Sequence, residues 1–203
     1  PARIDLVEAA AGNGRLPRDI LDEAARRHPA FYQAVSVHLV ERSADARAAH
    51  PAVLAAHLPR LASSGDALPD GVDGIIFANE LLDALPVHLV EMGAGGLREI
   101  YVDLDGERLV ERPGPPSSPA LAAYLAEDGV TLPAGAPPEV NLAAAASVAS
   151  AAARLRRGRL VLIDYGYEAA ELYSDARARG TLATYHRHLV DAPGEDGGPA
   201  WLA

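Results

Sequence analysis

At 203 residues the chain is long enough for one domain or slightly more, and 18 basic against 28 acidic side chains leave a formal charge of −10. With 49% hydrophobic residues and a mean hydropathy of +0.02 it can bury a real core, which excludes a polar low-complexity protein. There is no cysteine, and every basic residue is Arg, so disulfides, thiolate chemistry, Schiff-base lysines and the lysine-bearing phosphate loop are all excluded.

An acidic chain with scattered Arg argues against duplex binding driven by counterion release, so nucleic acid is not an expected partner. No apolar run approaches the roughly 20 residues a membrane helix requires, and the first residues lack the order of a signal peptide. A soluble, cytoplasmic protein without a membrane partner is the expectation.

In chain order, Arg3 to Ala9 reads as a strand that ends on an acid, Glu8, and enters the small-residue turn Ala10-Ala11-Gly12-Asn13-Gly14. A helix follows, with Pro17 near its start, Leu16, Ile20 and Ala24 as its apolar stripe, and an end near His28-Pro29. Val35 to Val40 alternates as a strand and closes on Glu41-Arg42-Ser43, where Ser43 is placed to cap the next helix. Pro51 is expected to interrupt that helix and leave a further turn or two from Ala52 to Leu58. Ser63 to Asp66 reads as readily as a plain loop as a ligand contact.

Ile75 to Ala78 is a continuous apolar run, as in a strand buried on both faces, and it ends on Asn79-Glu80. From Pro86 to about Arg112 the runs shorten and alternate between Gly and Asp-Gly turns, which predicts antiparallel hairpins. Pro113 to Pro119 and Leu132 to Pro138 read as loops. Leu142 to Leu155 reads as an Ala-rich helix with Gly158 as its stop, followed by a buried strand from Leu160 to Ile163 that ends on Asp164-Tyr165-Gly166-Tyr167. No internal repeat is visible.

Parallel strands alternating with helices predict a doubly wound, Rossmann-like α/β sheet, which binds ligands outside the carboxyl ends of its strands. Glycines between strand and helix let backbone N–H groups approach a ligand, and a helix start favours its negative groups. A nicotinamide dinucleotide would want a third glycine where Arg15-Leu16-Pro17 stands, so an oxidoreductase fits poorly. His186 and His188 alternate without a third ligand at a metal spacing, so no metal site is expected. The other histidines, His38 and His88 included, look like ordinary strand positions.

An acid ending the first strand, a compact glycine turn and Glu41 ending the second match the class I S-adenosylmethionine-dependent methyltransferases. Four blocks together resemble the MidA family, whose mitochondrial member is a complex I assembly factor and protein arginine methyltransferase. They are Glu8 to Leu21, Leu39 to Ser43, Ile76 to Pro86 and Leu162 to Tyr167, extended by Gly180-Thr181-Leu182 with Tyr185 and His188. Asn79-Glu80-Leu81-Leu82-Asp83-Ala84-Leu85-Pro86 is the most specific, departing from the family's signature only at Leu81 and Leu82. Ala10 replaces the first glycine of the family's turn.

The resemblance implies S-adenosylmethionine as cofactor and a protein substrate, with arginine one candidate acceptor. It implies cofactor contacts from Glu8, Ala10, Gly12, Asn13, Gly14, Glu41 and Asp66: Glu41 to the ribose hydroxyls, Gly12 to Gly14 along the methionine moiety, Glu8 near its ammonium and Asp66 at the adenine. Glu80, Asp83 and Asn79 would face the methyl-transfer end, with Glu80 first and Asp83 second as holders of a guanidinium, unless Asp83 caps a helix. Asp164, Tyr165 and Tyr167 are candidates to wall the substrate site or to pack. A non-catalytic scaffold that grips a partner through Pro86 to Pro138 is the rival, and a homodimer is left open. The family carries a helical segment before the first strand and further strands after the last block, so a single methyltransferase domain incomplete at one or both ends is expected.

Overall fold

The computed structural model describes residues 3–127, 129–132, 138–177, 180–183, 185–186 and 189–190. Most of the loop expected from Leu132 to Pro138 lies outside them, as does His188. The chain divides into two compact units, Pro1–Leu85 with Ala144–Tyr165, and Pro86–Ala143 with Gly166–Ala203. Among the described residues no helix is long and apolar enough to cross a membrane.

The first unit is built on a five-stranded sheet in which every pairing is parallel. Its strands are β1 (Ile4–Ala9), β2 (Val35–Val40), β3 (Leu61–Gly65), β4 (Val72–Asn79) and, later in the chain, β9 (Leu155–Ile163), in the order β3-β2-β1-β4-β9. Helices α1 (Arg15–Arg27), α2 (Pro29–Ala34) and α3 (Ala44–Leu54), then a 3-10 turn over Ala55–Arg60, connect the early strands. The strand β2 alternates strictly in burial because successive side chains point to opposite faces, whereas β1 and β4 are buried on both faces near their carboxyl ends. On one face Val35, Val37, Leu39 and Phe77 pack with Leu21 of α1 and Leu54 of α3. On the other, Val7, Val72 and Ile76 pack with Ala151 of α5 (Leu142–Arg154).

Several sequence expectations change here. The buried positions of α1 are Pro17, Leu21 and Ala24, whereas Leu16, in the first turn, is 40% exposed. Ala24 holds its expected place and Ile20 packs half-buried against the same core, so the stripe is shifted by one residue only in the first two turns. Ser43 does cap α3, its hydroxyl accepting from the Ala46 amide at 3.2 Å. That helix nevertheless runs through Pro51 to Leu54, although the proline lacks the amide that would donate to Arg47 and its ring crowds that carbonyl.

Leu61–Gly65, expected as loop from Ser63 on, is a strand because β2 offers it a partner edge. Gly158 does not stop α5 but lies within β9 opposite Gly74, where a Cβ would sit 1.8 Å from the Gly74 carbonyl oxygen. The strand β9 is not buried: among the described residues it pairs with β4 alone, and Ile163 is 54% exposed.

The second unit holds the expected hairpins β5 (His88–Gly93), β6 (Gly96–Asp105) and β7 (Arg108–Gly114), joined by β8 (Glu139–Val140) into an antiparallel sheet of order β7-β6-β5-β8. Its core gathers Val90, Val140 and Tyr173 with Leu121 and Leu125 of α4 (Ala120–Glu127), a helix the sequence did not announce. A short helix, α6 (Ala169–Leu172), follows Tyr167.

Candidate functional site

The acids and glycines singled out from sequence gather at the carboxyl ends of β1, β2 and β3. Glu8, the next-to-last residue of β1, is only 4% exposed, and its Oε2 has no hydrogen-bond partner among the described residues. Burial pushes its carboxyl up to about 8, because no nearby charge offsets the lost hydration. A buried polar atom without a partner is costly, so such a group marks a place where a donor belongs.

The loop after β1 takes three left-handed turns of backbone, with φ +58° at Ala10, +51° at Gly12 and +85° at Gly14. Ala10 thus adopts the conformation that glycine takes without strain. Gly14 is buried, and a Cβ there would meet Leu39 at 3.2 Å and His50 at 3.3 Å. The Asn13 Oδ1 accepts from the Arg15 amide at 3.2 Å in a short turn that leads into α1, whose N-cap is Gly14.

Glu41 follows β2 directly and is held at four points. Its Oε2 accepts from the Gly12 amide at 2.9 Å and its Oε1 from the Ser43 amide at 2.8 Å. Its own amide donates to the Gly65 carbonyl at 2.8 Å, and Arg47 donates to its carbonyl at 2.6 Å. A carboxylate oxygen has room for a second donor, so both can still receive a ligand's hydroxyl groups.

His50 was missed from sequence and is no strand residue. It lies on α3, fully buried, with Nε2 2.8 Å from the Gly12 carbonyl oxygen and Nδ1 2.8 Å from the Ser64 hydroxyl. The one signal available was its place four residues before Leu54, on the helix face that is buried.

Asp66, just past β3, lines a cavity of about 420 Å³ with Ala9, Val40, Leu68, Leu81 and Ser147. That volume suits a small ligand, and its wall is mainly apolar with few polar groups.

Asn79, Glu80 and Asp83 stand at the neighbouring strand end. Asn79 is the last residue of β4, and Glu80, at φ +49°, donates its amide to the Ile163 carbonyl of β9 at 2.8 Å. No helix follows, so Asp83 caps none. Its Oδ2 accepts instead from the Tyr165 hydroxyl, while Asp164 accepts from the Leu82 amide at 2.7 Å. Glu80 and Asp83 are both exposed, with carboxylates open to a cationic partner.

In the second unit, Tyr167 has the Arg177 guanidinium stacked 3.3 Å above its ring. The Gly180-Thr181-Leu182 segment is held by Glu139, buried at the start of β8, whose Oε1 accepts from the Thr181 amide at 2.6 Å and the Leu182 amide at 2.5 Å. Glu139 was also missed, since an acid beside a proline run gives no sign of burial.

Comparison with known proteins agrees in kind. The family model described as "Putative S-adenosyl-L-methionine-dependent methyltransferase" matches residues 1–200. A crystal structure of a "likely methyl transferase" from Burkholderia thailandensis, bound to S-adenosyl-homocysteine, is 32% identical, with a TM-score of 0.79 over 98% of this chain and 51% of that one. A native structure of an uncharacterized protein of that superfamily from the same organism is 32% identical, with a TM-score of 0.80 over 98% of this chain and 53% of its own. The chain therefore spans about half the length of these solved structures. None of the curated proteins matches it.

Proposed function

Because this chain belongs to the family described as putative S-adenosyl-L-methionine-dependent methyltransferases, we propose that it transfers a methyl group to a protein acceptor, with arginine as the acceptor side chain. The observation that carries the cofactor half is the clamp between Gly12 and Glu41, together with the buried Glu8 at the end of the neighbouring strand β1, whose Oε2 has no partner among the described residues. The finer likeness, to the MidA family, rests on the Asn79 to Pro86 signature.

The residues present fit S-adenosylmethionine. Glu41 receives the two ribose hydroxyls on the free lone pairs of its carboxylate, a bidentate arrangement. Glu8 supplies the partner for an ammonium group, which answers its orphaned oxygen. The apolar cavity takes the purine ring, with Asp66 placed to accept from its amino group. Gly12 offers open space toward the ligand, since a Cβ there would touch nothing within 4 Å.

The cofactor supplies a methyl group on a positively charged sulfur, so the leaving group needs no proton. What remains for the chain is alignment of the acceptor. Glu80 holds the guanidinium by charge-assisted hydrogen bonds, and Asp83, fixed by the Tyr165 hydroxyl, supplies the second carboxylate. Asn79 completes this rim from the end of β4.

The test is mass spectrometry of a cell extract incubated with the protein and methyl-labelled cofactor, beside calorimetry with S-adenosylhomocysteine. Label on arginine side chains that disappears with Glu80→Gln is the expected result. Binding without any transfer would instead favour the scaffold reading, and no binding by the folded chain would sink the cofactor assignment.

A further inference from the structure

Gly12 is exposed and has no Cβ, so packing cannot fix the orientation of its peptide groups. Hydrogen bonds must do it. Its amide is taken by Glu41, and its carbonyl by His50. A carbonyl only accepts, so Nε2 of His50 carries the hydrogen, and in a neutral ring Nδ1 is then the acceptor for the Ser64 hydroxyl. With both nitrogens satisfied and the ring fully buried, the imidazole has one orientation. Gly14 belongs to the same device, because a side chain there would press on His50 Cδ2 at 3.3 Å.

The consequence lies in the next peptide unit. In a trans peptide the carbonyl of one residue and the amide of the next point in opposite directions. The peptide joining Gly12 to Asn13 is trans, there being no cis peptide among the described residues, so a Gly12 carbonyl turned down onto His50 turns the Asn13 amide up, away from the core. That amide donates to no acceptor among the described residues.

We propose that His50 is a positioning residue: by holding the Gly12 carbonyl, backed by Ser64, it aims the Asn13 amide at the carboxylate of the bound ligand's amino-acid end. The target rests on the methyltransferase reading; the geometry of the relay does not.

The experiment compares wild type with His50→Leu, His50→Gln and Ser64→Ala. Calorimetry uses two probes, S-adenosylhomocysteine and 5′-methylthioadenosine, which keeps the purine and ribose but has no carboxylate. His50→Leu should weaken S-adenosylhomocysteine by about tenfold, the value of one well-made hydrogen bond to a charged group, and methylthioadenosine by less than about threefold. His50→Gln should recover most of the loss, since its amide can donate to Gly12 and accept from Ser64. Ser64→Ala should fall between them.

Equal losses for both probes, or no rescue by Gln, would overturn the proposal. Nitrogen-15 spectra of the histidine ring and amide exchange at Gly12 and Asn13 decide the relay independently. A ring protonated on Nδ1 alone, or loop exchange unchanged in Ser64→Ala, would overturn it whatever the ligand. Wild type that binds neither probe would sink the methyltransferase reading while these spectra still judged the relay. If His50→Leu fails to fold, His50→Gln and Ser64→Ala carry the comparison.

Discussion

The Gly12 amide donates to Oε2 of Glu41 at 2.9 Å, joining the loop after β1 to the end of β2 across 29 positions of sequence. One carboxylate therefore serves the loop and, in the proposed complex, the ribose. Glu41→Ala should raise the Kd for S-adenosylhomocysteine by about a hundredfold or more, because two hydrogen bonds to a charged group are lost at about 1.5–3 kcal/mol each. Titration calorimetry measures this, and an unchanged Kd contradicts the assignment of the ribose to Glu41.

Ala10 holds a left-handed backbone at φ +58°, which disfavours an L-residue by about 1–2 kcal/mol. Ala10→Gly removes that strain but frees the unfolded chain by about 0.4–1 kcal/mol, so the net gain should lie between about zero and 1.6 kcal/mol. Ala10→Val, with a branched side chain, should lose stability clearly. Urea denaturation of the two variants checks the pair, and a valine variant as stable as wild type would mean the loop is not strained there.

Much of this was legible because some signals are local. The acid and glycine pattern from Glu8 to Gly14 needs only neighbours in sequence, and β2 betrays itself by strict alternation from Val35 to Val40. The strand β3 did not, because Leu-Ala-Ser-Ser-Gly has little strand preference and exists by pairing with β2. His50 and Glu139 escaped for a similar reason. Each acts on backbone groups 38 and 42 positions away, a distance at which spacing carries no information.

Glu8 gives a pH dependence whose sign is fixed. Its carboxyl titrates at about 8 in the folded chain against 4.5 as an unperturbed group, so the native state holds an extra proton between those values. Stability from this group is fully present below about pH 4.5 and is lost as pH rises toward 8, on the order of 4 kcal/mol in all. Denaturation at several pH values should show the advantage of wild type over Glu8→Gln shrinking across that window; a constant difference refutes it.

The same group should report on the cofactor. An ammonium beside Glu8 favours the carboxylate, so binding near pH 7 should release part of a proton. Calorimetry in buffers of different ionisation enthalpy reads this directly. Glu8→Gln should release none, and a wild type that releases none would place the ammonium elsewhere.

Gly74 and Gly158 face each other where β4 meets β9, with Cβ positions that would fall 1.9 Å from the Asp5 carbonyl oxygen and 1.8 Å from that of Gly74. Backbone cannot yield as a side-chain tip does. Gly158→Ala should cost more than about 3 kcal/mol, the range of severe overpacking, and show as a large drop in melting temperature. A variant that melts like wild type would mean that the two strands separate at this point.

The strand order carries one more implication. β1 sits between β2 and β4, so the chain runs outward through β2 and β3 and then crosses back to the other edge of β1, and the two groups of loops beside it are separate stretches of sequence. In the proposed complex the nucleoside would be gripped from the ends of β2 and β3, and the acceptor's rim would come from the ends of β4 and β9. Such a division is not complete, because Leu81, between Asn79 and Pro86, also lines the cavity proposed for the purine. In the proposed complex, changes at the exposed Glu80 and Asp83 would retune the choice of acceptor, whereas a change at Leu81 would reach the donor's berth as well.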